Sequence, residues 1–503
     1  MSSTSVDLKQ KVVKGTLWTL LEKFTTQLAG FCVTLVLARL LTPDDYGTVA
    51  LLTLIINIST VLLDSGFGQA LVQKKNADAL DFNSVFYLSL GVSIAIYVTL
   101  FAAAPLVARF YTRPELVWLL RVLATTLVFG AINSVQGAEL SRKMLFNLSF
   151  RISLTRFLLT SITGIALALM KFGPWALVLS TVAGSIGTVC ASWAFIGWRP
   201  QFIFSWQALR GLFSFGWKFS ASWFLSMTYE NVYGMVIGRV YSPADLAFLE
   251  KGRQLPRLGM SSINGAIGRV SFPAIAQIQD DLLRVRAVMR RMITCSTFLV
   301  FPMMVGMSIC SKDIVAIFYG EQWNASVPFT AIACFSFMLF PFHTINLQTL
   351  SALGRSDIFL KLEIIKTAVA ALALACTYRF GVVWMVATGA FVVGPLGVFI
   401  NAYPNQRLLG YTVKMQICDT LPTALACVLM AIVIWPIGQV PMVPFLRVFV
   451  QIVLGMLSFA IFSYLLRVSA MREYLAVLDS VPSNRMPKFL ACTLVAVEKR
   501  FDS

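Results

Sequence analysis

FLEKGRQLPRLGMSSINGAIGRVSF, residues 248–272, gathers Glu250, Lys251, Arg253, Arg257 and Arg269 in a chain that otherwise reads as a succession of membrane spans. Of the 503 residues, 58% are hydrophobic and only 13% charged, a balance that excludes the soluble globular classes. Runs of about 20 apolar residues, enough to cross ~30 Å of hydrocarbon, recur along the chain. They extend from near residue 15 to near residue 467, with no soluble stretch between them large enough for a domain. Catalysis in an appended domain is therefore not expected. Hydropathy alone makes 248–272 a loop, and whether it is one decides the fold.

An internal repeat bears on that choice. Ala38-Arg39-Leu40-Leu41-Thr42-Pro43-Asp44-Asp45-Tyr46 is matched by Gly238-Arg239-Val240-Tyr241-Ser242-Pro243-Ala244-Asp245-Leu246, with Arg, a hydroxyl residue, Pro and Asp each displaced by 200 positions. Both copies follow a span of similar length, and six spans separate them, an even number that gives both halves the same orientation. The pattern predicts a parallel repeat, two six-helix bundles related by an axis along the membrane normal. Shifted by 200, the apolar span TVALLTLIINISTVLLDSGFG lands on 248–272, which makes that stretch the eighth helix.

The expected spans are 14–41, 46–71, 83–109, 116–140, 149–170, 174–197, 212–241, 246–272, 292–318, 326–352, 358–379, 382–403, 418–438 and 445–466, about fourteen in all. The fold class is thus an all-α polytopic membrane protein. Its expected divisions are an N-terminal six-helix bundle (1–205), a C-terminal six-helix bundle (206–405), two additional transmembrane helices (406–467) and an amphipathic tail (468–503), which is expected to lie on the inner surface and to be dispensable. Lys11 and Lys14, Lys74 and Lys75, Arg142 and Lys143, Arg199 and Arg210, Arg284 to Arg291, Arg355 and Lys361, Arg407 and Lys414, and Arg467 onward fall at alternate connections. The positive-inside rule assigns those connections, and both termini, to the cytoplasm. Connections around Pro43, Arg113, Lys171, Pro243, Lys312, Arg379 and Pro441 carry fewer Lys and Arg and are expected outside.

The same distribution accounts for most of the formal charge of +18 and removes the reason to invoke nucleic acid. A cleaved signal peptide is not expected, since a charged start, short apolar core and small-residue cleavage site do not stand in that order at the start. Nine scattered cysteines form no CxxC pair, and His343 is the single histidine. Metal clusters, cofactor ligation and a His-based triad are not expected; His343 reads as a hydrogen-bonded core residue.

Taken as a helix at 100° per residue, 248–272 places Glu250, Arg253, Gln254, Arg257, Ser261, Asn264 and Gly268 within an arc of about 100°. Such a face cannot meet lipid, because Lys or Arg at bilayer depth costs at least ~2.5 to 3.5 kcal/mol; it should line an aqueous cavity. The first span adds Glu22 and Lys23, and the seventh adds Tyr229, Glu230 and Tyr233. Helices one, seven and eight are expected to meet where the bundles face each other, around a cavity suited to an anionic solute. The competing reading makes 242–258 a basic interfacial loop with Arg253 and Arg257 snorkelling to headgroups. For Glu22 and Lys23, close to the cytoplasmic interface, snorkelling and a cavity role both stand.

Several runs in order carry a resemblance: Leu41-Thr42-Pro43-Asp44-Asp45-Tyr46-Gly47, Asp64-Ser65-Gly66-Phe67-Gly68-Gln69, Ser271-Phe272-Pro273-Ala274-Ile275-Ala276, Tyr319-Gly320-Glu321-Gln322-Trp323 and Ala352-Leu353-Gly354-Arg355-Ser356-Asp357. From about residue 10 to 415 the chain resembles the polysaccharide transporter (Wzx-like) family of the multidrug/oligosaccharidyl-lipid/polysaccharide exporter superfamily, in the exopolysaccharide, colanic-acid and lipopolysaccharide export branch. The resemblance implies a MATE/MurJ-like fold and a non-enzymatic flippase in the bacterial inner membrane. By alternating access it would turn an undecaprenyl-pyrophosphate-linked oligosaccharide to the periplasmic leaflet, among membrane lipids and beside a polymerase and export machinery. It further implies that cavity cations hold the pyrophosphate: the candidates are Lys23, Lys251, Arg253, Arg257 and Arg269. Glu22, Glu230 and Glu250 are candidate cavity acids or coupling groups; Tyr229, Tyr233 and Asn264 are candidate sugar contacts. The alternatives are a multidrug or organic-cation antiporter, whose cavity should be acidic and aromatic, and a membrane polysaccharide polymerase or glycosyltransferase.

Overall fold

The structure, a computed structural model, describes residues 27, 29–63, 71, 78–143, 145–207, 209–210, 231 and 233–479. All regular structure among them is helical, and nine of these helices are long and apolar enough to cross a membrane. The chain divides into two compact units, Met1–Ala247 and Phe248–Ser503.

The first unit holds α1 (Ala29–Leu40), α2 (Pro43–Leu63), α3 (Ala79–Tyr111), α4 (Leu116–Leu123), α5 (Thr125–Arg142), α6 (Phe146–Leu169) and α7 (Pro174–Phe195), and it includes the first turn of α8 (Pro243–Ala276). Small residues let backbones approach where α6 meets α7. A β-carbon added at Gly184 would stand 2.0 Å from Thr160 Oγ1, and one at Gly187 would stand 2.3 Å from Leu159 Cδ1. In α3, Pro105 has no N–H to return to the Phe101 carbonyl; Arg121 Nε donates to that oxygen at 3.3 Å, with its guanidinium 4.1 Å from the Phe101 ring.

The sequence repeat is also a repeat of local structure. Before α2, Thr42 Oγ1 donates to Asp45 Oδ2 (2.7 Å) and accepts from the Asp45 N–H (3.2 Å). Before α8, Ser242 Oγ donates to Asp245 Oδ2 (2.6 Å) and accepts from the Asp245 N–H (3.1 Å). In both copies the hydroxyl residue caps the helix, Pro takes the first position where no N–H is needed, and Asp sits in the first turn. The copies also abut: a β-carbon on Gly47 would stand 1.9 Å from the Pro243 carbonyl oxygen.

The second unit holds the rest of α8, α9 (Leu282–Ile309), α10 (Ser311–Phe318), α11 (Val327–Met338), α12 (Phe340–Ala352), α13 (Ser356–Thr377), α14 (Val382–Thr388), α15 (Gly394–Leu409), α16 (Val413–Ile434), α17 (Pro444–Leu465) and α18 (Ser469–Asp479). A π turn, Gly389–Val393, joins α14 to α15. The ninth span departs from the expected 292–318: α9 starts ten residues earlier and stops at Ile309. Its polar first turns stay helical because Arg290 pairs with Asp419 at 2.5 Å and Arg291 with Glu473.

Connections that the charge alternation grouped together meet within each unit. Arg113 grips Asp44 with two nitrogens, at 2.7 and 2.8 Å, and Gly173 lies against Asp45. Arg447 binds Asp313 through both oxygens, Nε to Oδ2 at 2.6 Å, tying α17 to the first turn of α10. At the basic ends, Arg142 reaches the Leu71 carbonyl (3.4 Å) in the first unit, and in the second Arg290 pairs with Asp419 (2.5 Å), which also accepts from the Tyr411 hydroxyl (2.8 Å).

The start of the tail is a docked helix. In α18 the Tyr474 ring stacks on Phe298, its hydroxyl donates to the Cys295 carbonyl at 3.1 Å, and Glu473 receives Arg291. Dispensability is therefore expected only for residues past Asp479.

Candidate functional site

Helix α8 runs unbroken through Pro256 and Pro273, so 248–272 is a helix and not an interfacial loop. Of the seven residues on its polar arc, none is buried, whereas Leu249, Lys251, Gly252, Pro256 and Met260 on the remaining faces are. A face of two carboxamides, a carboxylate and two guanidinium groups thus stays open while the apolar faces pack.

What covers those other faces explains a motif seen in the sequence. Gly320 adopts φ +95°, a conformation suited to glycine, and lets Tyr319 and Trp323 turn inward until both are 0% exposed. Lys251, 6% exposed, has its ammonium 5.4 Å from the Tyr319 ring centre and 5.6 Å from that of Trp323. Phe248 meets Trp323 edge-on at 5.9 Å, and the Tyr319 hydroxyl donates to Gln254 Oε1 at 3.3 Å. One turn of α8 is thereby clamped by an aromatic pair through cation–π and hydrogen-bond contacts. Gly252 completes the seat. A β-carbon there would be 2.7 Å from Phe329 Cβ and 3.0 Å from both the Ser326 carbonyl oxygen and the Thr330 nitrogen, so α8 and α11 touch backbone to backbone.

On the open arc, Arg257 Nη2 lies 3.5 Å from Glu250 Oε2, with side-chain exposures of 57% and 44%. Two turns separate this pair, and Arg253 lies between them, half-buried. Farther along the helix, Asn264 Oδ1 accepts from Thr344 Oγ1 at 2.6 Å, which fixes its amide. Exposed at a long, loose contact, the Glu250–Arg257 pair gains little Coulomb energy and is readily exchanged for a stronger anion.

The sequence candidates separate accordingly. Glu250, Arg253, Arg257 and Asn264 share the open arc, while Lys251 is held behind it against the two rings and away from Arg253 and Arg257. The side chain of Arg269 and the whole of Glu22, Lys23, Tyr229 and Glu230 lie outside the described residues; Tyr233 is placed in the first unit, in the helical segment 233–240. Sequence reasoning missed Tyr319 and Trp323 as partners of α8, although both stand in a run singled out for its resemblance. It also missed the amides Asn346, Asn401, Asn405 and Gln416, buried in the second unit on three different helices, whose pairing no spacing in the sequence announces. His343 is a hydrogen-bonded core residue as expected, its Nδ1 2.9 Å from Asn401 Nδ2. Among the described residues no group of His, Cys, Asp and Glu is arranged to hold a metal ion.

A family model described as "Polysaccharide biosynthesis protein" matches residues 36–328, more than half of the chain. The teichuronic acid biosynthesis protein TuaB of Bacillus subtilis is 26% identical over 360 residues, 71% of this chain and 74% of that protein. The lipopolysaccharide biosynthesis protein WzxC of Escherichia coli is 22% identical over 368 residues, 72% of this chain and 74% of that protein. The lipid II flippase MurJ, in an inward closed conformation, superposes with a TM-score of 0.72 at 14% identity, covering 90% of this chain and 98% of that one. At that identity the likeness speaks for a shared fold.

Proposed function

Because the chain belongs to the polysaccharide biosynthesis protein family, we propose that this multi-pass membrane protein is a flippase. It moves an undecaprenyl-pyrophosphate-linked oligosaccharide across the bacterial inner membrane by alternating access, in exopolysaccharide or lipopolysaccharide biosynthesis. The observation that carries this reading is the open cationic arc of α8 in an otherwise apolar chain: Arg253 and Arg257, one turn apart, with Glu250 in contact with Arg257. Guanidinium groups hold phosphate oxygens with paired hydrogen bonds, and a pair at i and i+4 spans neighbouring phosphates.

Without substrate, Glu250 partly neutralises Arg257. An entering pyrophosphate displaces Glu250, carries more negative charge, and gives the two arginines a shared ligand. That exchange supplies an interaction that differs between empty and loaded protein, which a shift between access states requires. Asn264 on the same arc is a sugar contact in this reading, and Tyr229, Tyr233, Lys23 and Arg269 stay the candidates that the sequence alone names. Lys251 has a different part: clamped by Tyr319 and Trp323, it positions the helix that presents the arginines. Both termini are cytoplasmic, and the chain delivers its cargo to the polymerase and export machinery without chemistry of its own.

The names TuaB and WzxC, of a teichuronic acid and a lipopolysaccharide biosynthesis protein, support this reading over a drug antiporter. A cation-exporting cavity would be acidic, and this arc has two fixed cations to one carboxylate. The test is binding of radiolabelled undecaprenyl pyrophosphate, free oligosaccharide and a lipophilic drug cation to the purified chain. Saturable binding of the pyrophosphate lipid is expected; binding of the drug cation alone would overturn the reading.

A further inference from the structure

Helix α2 begins with the same cap as α8 and is its counterpart in the repeat, yet its open face has another chemistry. Past the first turn, its exposed side chains among those described are Thr53, Asn57 and Thr60. At 100° per residue they fall within an arc of about 60°, and the buried Leu51, Leu52 and Val61 lie outside it. The packed side is closed by a helical segment of the same unit. A β-carbon on Gly238 would stand 2.1 Å from Leu51 Cδ2, and one on Gly234 would stand 2.9 Å from Leu54 Cδ1.

A helix face turned to hydrocarbon looks different. Helix α3 exposes Ile94, Val98 and Phe101, and α17 exposes Phe445, Phe449 and Ile452. Among its described residues α2 exposes no large hydrophobic side chain at all. In a helix built mainly of Leu, Ile and Val, an open face made only of hydroxyl and amide groups belongs to water, where polar groups are satisfied.

What this face can bind follows from where its protons go. Thr53 Oγ1 donates to the Val49 carbonyl and Thr60 Oγ1 to the Ile56 carbonyl, each at 2.8 Å. Both hydroxyl protons are committed within the helix, and both oxygens keep lone pairs for a donor from outside. The Asn57 amide, its Nδ2 at a long 3.5 Å from Asn231 Oδ1, has a carbonyl oxygen and a second N–H besides. No charged residue occurs in α2 after Asp45, so the face has no ion to offer an anion or a cation. Its chemistry fits a neutral ligand rich in hydroxyl groups, which both donate and accept. The repeat sharpens the contrast: a displacement of 200 carries Thr53 and Asn57 onto Arg253 and Arg257, the two cations on the open arc of α8.

We propose that Thr53, Asn57 and Thr60 form a glycan-binding face, which takes the sugar portion of the transported lipid through hydrogen bonds from its hydroxyl groups. This rests on the flippase reading and adds to it a place for the sugar on α2, apart from the arginines of α8.

The test compares the affinity of the purified full-length chain in detergent for two probes. One is undecaprenyl pyrophosphate; the other is the same lipid bearing its oligosaccharide, extracted from cells of the parent strain that lack this gene. The unaltered chain should hold the sugar-bearing lipid about tenfold or more tighter, as several added hydrogen bonds allow. Thr53→Val combined with Thr60→Val removes only bonds made inside α2 and keeps the size of both side chains. It should weaken binding of the sugar-bearing lipid about two- to tenfold for each hydrogen bond lost and leave binding of the bare lipid unchanged. Asn57→Leu should act in the same direction, and the threonine pair serves where the leucine variant fails to fold. Equal affinity of the unaltered chain for both lipids, a preference that the variants do not alter, or an equal loss for both lipids would overturn the proposal while the flippase reading stands. Failure of the unaltered chain to bind either lipid would overturn the flippase reading and this proposal with it.

Discussion

Replacing Gly252 with alanine should loosen the seat of α8, and the size of the effect follows from what the new methyl group meets. Its carbon would stand 2.7 Å from Phe329 Cβ and 3.0 Å from two backbone atoms of the Ser326–Thr330 turn, against ordinary carbon contacts of ~3.5 to 4.0 Å. None of the three is the free end of a flexible side chain, so α8 and α11 must separate by several tenths of an ångström. Overpacking of that kind costs about 1 to 3 kcal/mol. Alanine in a helix interior returns ~0.8 to 1.0 kcal/mol through higher propensity, which would blur a single measurement. Gly265 removes the ambiguity: it lies on the same helix, and a β-carbon there meets nothing within 4 Å. Gly265→Ala gains the propensity without the clash, so the two variants should differ by the overpacking cost, about 1 to 3 kcal/mol. Melting midpoints of purified protein in detergent, compared side by side, read that difference. Because Lys251 and Arg253 flank Gly252, export per inserted molecule should fall as well. If Gly252→Ala melts at or above Gly265→Ala, the close approach of α8 to α11 is wrong.

Two further outcomes are expected. Asp313→Asn leaves Arg447 without its charge partner in a setting where the two side chains are only 9% and 16% exposed; breaking such a pair costs about 3 to 5 kcal/mol, and Asp313→Leu combined with Arg447→Met should recover most of it, as read by thermal melting. Truncation after Asp479 should leave abundance and export unchanged, while truncation after Val468 strips Tyr474 from Phe298 and Glu473 from Arg291 and should lower the amount of folded protein seen by size-exclusion chromatography.

The parts of this fold that were legible in the sequence rest on two periodicities. Apolar length located most spans, and a displacement of 200 residues turned a charged stretch into α8, with Thr42 and Ser242 performing the same capping task. Helix periodicity also separated the open arc of Glu250, Arg253 and Arg257 from the packed faces. It says nothing of what covers a packed face. Lys251 was grouped with the arginines on charge, and only a partner about 70 residues away, the Tyr319–Trp323 pair, buries it. The start of α9 was missed for a related reason. A hydropathy window discards Arg284 to Arg291 as connection, while Asp419 and Glu473, far along the chain, give those arginines partners and extend the helix. The buried amides of α12, α15 and α16 escaped because each one alone in an apolar run signals nothing, and their pairing exists only in three dimensions.

The central claim is that Arg253 and Arg257 hold the pyrophosphate of a lipid-linked oligosaccharide, and the measurement that meets it most directly is polysaccharide export in cells lacking the native gene, normalised to membrane-inserted protein. Arg253→Ala and Arg257→Ala should each reduce export about tenfold or more, as expected for loss of a charge-assisted hydrogen bond of ~1.5 to 3 kcal/mol. Arg257→Lys, which keeps the charge and loses the fork, should fall between Arg257→Ala and the parent, and insertion should be unchanged in all three. Export at the parent rate by both alanine variants would contradict the account and remove the open arc of α8 from the path of the substrate.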